Sequence, residues 1–204
     1  MRHRRKGRRL GRSSSHRRAL FRNMACALFL TKRDPAWFEG MFQADGKTAV
    51  SPPAVPGRIV TTLEKAKEVR PIIERCITIA RKALPAQQAA AEFGTSADRN
   101  TPAWKAWREG PNHARWVQAI APVITARRRV FTMLRDKAAV RILFRDIAPS
   151  MEDRKGGYTR ILRLAKPRLG DAGTRAILEL VGTDTDRARK TSQKPEFAAD
   201  DSGN

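Results

Sequence analysis

The side chains best suited to chemistry gather at the start of the chain. Between Met1 and Arg33 stand twelve Lys and Arg residues, among them Arg2, Arg4, Arg5, Lys6, Arg8, Arg9, Arg12, Arg17 and Arg22, and no acid occurs before Asp34. His3, Gly7, Gly11, Ser14, Ser15 and His16 punctuate them. Guanidinium forks match phosphate oxygens, glycine lets a backbone approach a strand closely, and hydroxyls and imidazoles add short donors. The chemistry of this spacing is polyanion binding. Residues 1–12 hold Leu10 as their only large apolar side chain after Met1, so they predict an extended arm that orders on its polyanion. A solvated tail or an organelle transit peptide has a similar composition. Transit peptides, however, interleave apolar residues along an amphipathic helix, and residues 2–9 offer none.

A second constellation is Asp153-Arg154-Lys155-Gly156-Gly157-Tyr158-Thr159-Arg160. A Gly-Gly turn between cations, with an aromatic and a hydroxyl beside it, could follow a phosphodiester backbone and stack one base or sugar. It could equally be an ordinary turn with Tyr158 packed on the core. Other chemistries lack their residues. Cys26 and Cys76 sit on apolar helical stripes and read as small buried side chains. His3, His16 and His113 have no metal-ligand spacing, and Gly170-Asp-Ala-Gly-Thr174 lacks the lysine of a phosphate loop. No paired carboxylates or Ser/His/Asp arrangement stands out. The expectation is a protein without catalysis, cofactor, bound metal or small-molecule substrate.

The whole composition fits this. The 204 residues carry 42 Lys and Arg against 20 Asp and Glu, a net charge of +22. Such an excess attracts polyanions and disfavours self-association, so no homo-oligomer is expected. A hydrophobic content of 41% suffices for one modest core, and the longest apolar run, Met24 to Leu30, is far short of a membrane span. The charge is divided unevenly. Residues 1–33, 58–84 and 123–181 carry +12, +4 and +8, whereas 34–57, 85–122 and the tail from Gly182 carry −2, +1 and −1. The basic blocks read as one core, the others as insertions at about 31–57 and 84–122 and a mobile tail over 183–204.

The elements that must position the cations follow from periodicity. Ser13, Ser14 and Ser15 offer caps for a helix through about Thr31, with Leu20, Met24, Ala27, Leu28 and Thr31 as its inward stripe. Its positive end would favour anions a second time. Arg58–Thr62 predicts a strand, and Thr61 and Glu64 have the spacing of a capping box for a helix through Ala80, kinked at Pro71. Residues 103–122 and 126–147 predict two further helices. Thr159–Ala165 and Arg175–Val181 alternate with period two around a Gly/Pro/Asp loop, which predicts a hairpin. The sum is α-β-α(several)-β-β, a two-layer α+β domain over 13–182 with a small sheet and a basic N-terminal arm.

Three ordered blocks resemble the bacterial large-subunit ribosomal protein seventeen family. The opening Met1-Arg-His-Arg, Gly7-Arg8, Leu10, Arg12, Ser14-Ser15-His16-Arg17 and Phe21-Arg22-Asn23-Met24-Ala25 is similar to that family's start. Arg58-Ile-Val-Thr-Thr-Leu-Glu-Lys-Ala-Lys-Glu-Val-Arg70 with Ile77-Thr-Ile-Ala-Arg-Lys82 resembles its strand and long helix, and Gly156-Gly-Tyr-Thr-Arg-Ile-Leu-Arg163 with Gly170-Asp-Ala172 and Ile177-Leu-Glu-Leu-Val181 its terminal hairpin. The resemblance implies an α+β fold, no enzymatic activity, and direct binding to large-subunit ribosomal RNA. It also implies a cytoplasmic place in the ribosome near the rim of the polypeptide exit tunnel, beside neighbouring ribosomal proteins and away from membranes. Carried over by position, the RNA contacts would be Arg2, His3, Arg4, Arg5, Lys6, Arg8, Arg9, Arg12, Ser14, Ser15, His16, Arg17, Arg22 and Asn23. Arg58, Lys65, Lys67, Arg154, Gly157, Tyr158, Thr159 and Arg160 would complete them. The insertions depart from the family pattern, and their charge and Trp37, Trp104, Trp107 and Trp116 suggest a solvent- or protein-facing side. The rival reading is a free nucleoid or DNA-binding protein with the same electrostatics, for which no helix-turn-helix or zinc-finger signature speaks.

Overall fold

The computed structural model describes residues 7–39 and 53–182; the arm's first six residues, much of the first insertion and the expected mobile tail lie outside them. Ser13, in extended backbone, opens α1 (Ser14–Leu30) by accepting the His16 N–H at 3.4 Å. The face that α1 buries is Ala25, Cys26, Leu28 and Phe29. The stripe is therefore rotated from the expected one: Ala27 is exposed. A five-residue helix α2 (Pro35–Glu39) follows. Thr31 then ties the end of α1 to the second block. Its hydroxyl donates to the Leu28 carbonyl at 2.6 Å and accepts the Gly57 N–H at 2.8 Å.

Strand β1 (Arg58–Thr62) passes directly into α3 (Leu63–Lys82). The capping box does not form. Thr62 is the cap residue and its side chain makes no capping bond; the Leu63 N–H donates instead to the Thr174 carbonyl at 3.0 Å. The helix continues through Pro71, whose ring is exposed. Ala66, Val69, Ile73, Cys76, Ile77 and Ala80 are buried along it with helical period, each larger aliphatic side chain contributing about 1.5–3 kcal/mol.

The second insertion is helical. It forms α4 (Leu84–Ala91), α5 (Pro102–Glu109) and the first half of α6 (Pro111–Leu134). Gly110 splits the expected 103–122 helix, while α6 runs unbroken through residue 122. The break falls later, within the helix expected over 126–147. Arg135 adopts φ +59 and donates its N–H to the Phe131 carbonyl at 2.7 Å, and Asp136 then accepts the Ala139 N–H at 3.0 Å to start α7 (Lys137–Ile142). A π-helical turn (Leu143–Ile147) and the short α8 (Ala148–Ser150) continue it.

The hairpin forms as expected, from β2 (Thr159–Arg163) and β3 (Arg175–Leu180). The sheet order is β1-β3-β2, all antiparallel, so the last strand is central. Ala176, Leu178 and Leu180 face the helices and are buried; Ile59 and Ile161 flank Leu178 and pack against the core. The alternate positions Arg175, Ile177 and Glu179 point to the other face, where Val60 is 53% exposed. Helices on one side and a three-stranded sheet on the other make the two-layer α+β fold.

Candidate nucleic-acid interface

The expected contacts separate into groups by where the fold places them. Arg2, His3, Arg4, Arg5 and Lys6 lie outside the described residues. The described part of the arm is a turn. Leu10 and Gly11 have φ +53 and +61, and the Arg12 N–H donates to the Arg9 carbonyl at 3.2 Å. Glycine accepts that conformation freely, but leucine holds it only under strain from the surrounding structure. Two contacts anchor this segment. Arg8 pairs with Glu68 of α3 at 2.9 Å, and Arg12 folds back on the Leu10 carbonyl at 2.7 Å. Gly7, at φ +87, sits so close to Glu68 that a Cβ there would meet its carboxylate at 3.1 Å.

This turn sits at the start of α1, where Ser14, Ser15, His16 and Arg18 are exposed and Arg17 and Arg22 half-buried, with no acid in the first turn. The free N–H groups and positive dipole end of α1 thus add to the cations around them. A recess of about 320 Å³ opens where α1 meets α3, framed by Arg18, Arg22 and Arg75 over Phe21, Ile72 and Met133. None of these three arginines pairs with an acid among the described residues. Arg18 and Arg75 were not among the expected contacts. The approach of two helices brings Arg75 beside Arg22, and no local pattern around either residue signals it. Asn23 and Lys67 are exposed and Lys65 half-buried; a second recess of about 520 Å³ joins Lys65 to Arg168 and Arg175 at the sheet edge.

The Gly156-Gly157 turn divides between its two readings. Gly157 has φ +64 and both glycines face open space, with Arg154 exposed beside them, so the backbone and cation are available. Tyr158 is not: it is fully buried, and of the two readings of this turn the packed one holds for its ring. Thr159 is buried as well. Glu74 of α3 takes the Tyr158 N–H at 3.1 Å, the Thr159 N–H at 2.9 Å and the Thr159 hydroxyl at 2.6 Å. A carboxylate eighty-four residues upstream thus fixes the turn by occupying the groups expected to reach RNA.

Arg58 and Arg160 also have an internal task. Both stand directly opposite Glu179 in the antiparallel register, one from each side. The Glu179 carboxylate is fully buried; Arg58 approaches one oxygen with Nε at 2.8 Å and Nη2 at 2.6 Å, and Arg160 Nε donates to the other. The row retains one net positive charge on the open sheet face. Sequence reading missed Glu179, although an acid inside a Val/Ile/Leu alternation is the signal that could have found it.

Among the described residues no group of three His, Cys, Asp or Glu side chains could hold a metal ion, and no helix is long and apolar enough to cross a membrane. Burial pushes the Cys26 thiol up to about 11 and the Cys76 thiol up to about 12, which marks both as packing groups. Two of the insertion tryptophans, Trp107 and Trp116, meet each other. Trp107 donates Nε1–H to the Phe93 carbonyl at 3.0 Å and meets His113 and Trp116 edge-on at 5.0 and 5.6 Å, while Trp37 lies under Arg33 at 3.8 Å.

Comparison with known proteins agrees with these elements. A family model for ribosomal protein L17 matches residues 54–181, the span from just before β1 to just after β3. The large ribosomal subunit protein bL17 of Rhodopirellula baltica is 54% identical over 200 residues, covering 98% of this chain and 90% of that protein. Its counterpart in Desulfotalea psychrophila is 35% identical over 193 residues, covering 95% and 99%. The strand, the long helix, the terminal hairpin and these matches together place the chain in the ribosomal protein L17 family.

Proposed function

We propose that this protein is a structural, non-enzymatic constituent of the large ribosomal subunit that binds ribosomal RNA through its basic arm and basic faces. It works in the cytoplasm, beside other ribosomal proteins near the rim of the polypeptide exit tunnel, as one α+β domain with two insertions. The observation that carries the RNA contact is the convergence at one place of cations without acid partners among the described residues: Arg18 and Arg22 on α1 and Arg75 on α3, next to the arm turn and the α1 N-terminus. A guanidinium with no internal partner gains most from a phosphate. Lys67, Arg154 and the open Gly157 backbone extend the contact, and Arg58 and Arg160 add the single net charge their row retains. Tyr158 and Thr159 are left out of it and serve the hairpin. Gradient sedimentation of a cell extract tests the reading. The protein is expected to travel with large subunits and to stay there after DNase treatment; migration with DNA, lost on that treatment, would overturn it.

A further inference from the structure

The outer face of α6 is a largely uncharged, apolar surface on a strongly basic chain. Residues 116–126 carry no charge, and between Glu109 and Asp136 there is no acid at all. Val117, Ile124 and Phe131, spaced by seven, are 44%, 38% and 40% exposed. Ala114, Ala121 and Arg128 complete the same seam. Thr125 and Thr132 beside it send their hydroxyls back to the Ala121 and Arg128 carbonyls at 3.0 Å each, so they show methyl groups. From Val117 to Phe131 the seam runs about 21 Å, four helical turns. At its C-terminal end, between α6 and α7, it opens into a recess of about 600 Å³ floored by Ile124, Phe131 and Val140 and rimmed by Arg127, Arg128 and Lys137.

We propose that this face docks an amphipathic helical segment of a neighbouring protein, with apolar side chains along the seam and carboxylates against Arg127, Arg128 and Lys137. Charge decides among occupants. RNA carries a phosphate every few ångströms and has nothing to seat on four turns of Val, Ala and Ile, whereas those residues match an apolar helix stripe. A second copy of this chain would set Arg128 against arginine, with no acid on either seam. An acidic, apolar helix satisfies both ends of the surface. The inference rests on the ribosomal reading above, and it gives the second insertion a purpose: α4 and α5 brace the N-terminal half of α6, on which the seam begins.

The test places a photoreactive benzoylphenylalanine at position 124, and in a separate strain at position 67, and irradiates purified large subunits. Failure of both proteins to enter subunits would sink the ribosomal reading itself. With incorporation, position 124 is expected to cross-link to a protein segment carrying carboxylates beside apolar residues, and position 67 to RNA. Arg128→Glu should cut the protein cross-link about tenfold, the scale of losing one interface anchor, while Arg128→Lys retains it. Because Arg128 is exposed, the melting temperature of both variants should match the parent. A cross-link from position 124 to RNA, to residues 183–204 of the same chain or to a second copy, or no cross-link at all, would overturn the inference.

Discussion

Neutralising Glu179 separates the internal task of Arg58 and Arg160 from their outward one. The carboxylate is fully buried on the central strand, while the two arginine side chains are 24% and 29% exposed. Glu179→Gln keeps the volume but places an NH₂ group against a guanidinium and leaves two cations facing each other across β3. Breaking a buried pair from one side costs about 3–5 kcal/mol; because the arginines reach solvent and are partly rehydrated, about 2–4 kcal/mol is expected here. At roughly 2–4 °C per kcal/mol for a domain of this size, the melting temperature should fall by about 5–15 °C. Urea unfolding followed by far-UV circular dichroism reads this as a shifted midpoint with an unchanged slope. The triple variant Arg58→Met, Glu179→Met, Arg160→Met should recover most of the loss, since replacing every member removes the uncompensated charge. A Glu179→Gln protein as stable as the parent within about 0.5 kcal/mol would refute the claim that this row holds the sheet together.

Other consequences follow from single contacts. Glu74→Ala orphans the Tyr158 and Thr159 N–H groups and the Thr159 hydroxyl, so about 2–4 kcal/mol should be lost in denaturant unfolding, with hydrogen exchange at both amides accelerating most. Trp107→Ala removes the bond to Phe93 and the ring contacts to His113 and Trp116; exchange should rise in residues 84–116 while β1, α3 and β3 keep their protection. Both thiols should stay unmodified by a disulfide reagent at pH 8 in the native state and react only on unfolding. Their folded pKa values lie above the ordinary 9, so their contribution to stability is complete below pH 9 and is lost as pH rises towards about 11–12.

Much of the fold is legible because its signals are local. The β-branched run Arg58–Thr62 and the apolar spacing of α3 survive into the structure, and the period-two segments around the Gly/Pro/Asp loop do so with their strands ending earlier, at Arg163 and Leu180. What misleads is whatever a distant residue decides. Phe131, Leu134, Ala138 and Ile142 keep helical spacing across a break that only the left-handed Arg135 and the Asp136 cap create. Ala25 and Ala27 look alike in sequence, and the packing of α1 against α3 selects the first. Tyr158 beside two glycines and two cations allows a stacking ring or a packed one, and its burial, with Glu74 on another element holding its backbone, decides for the second. The acids Glu68, Glu74 and Glu179 are the common omission: charge totals in each block count them as offsets, whereas the fold uses each to hold a basic or hydroxyl group in place. For the candidate interface, the sequence marks the basic blocks but not the recess, because Arg22 and Arg75 meet only through tertiary packing.

The central claim, that the basic arm and the face behind it contact phosphates, is tested most directly by the salt dependence of binding to large-subunit ribosomal RNA. Each neutralised phosphate contributes about 0.7–0.9 to the slope of log K against log salt. Deleting residues 2–12 removes seven cations, of which Arg8 is shared with Glu68 and Arg12 is half-buried, so the slope should flatten by between about 3 and 6. Affinity should fall with it, while the melting temperature stays near that of the full chain. A truncated protein that still binds with the full chain's slope would contradict the account.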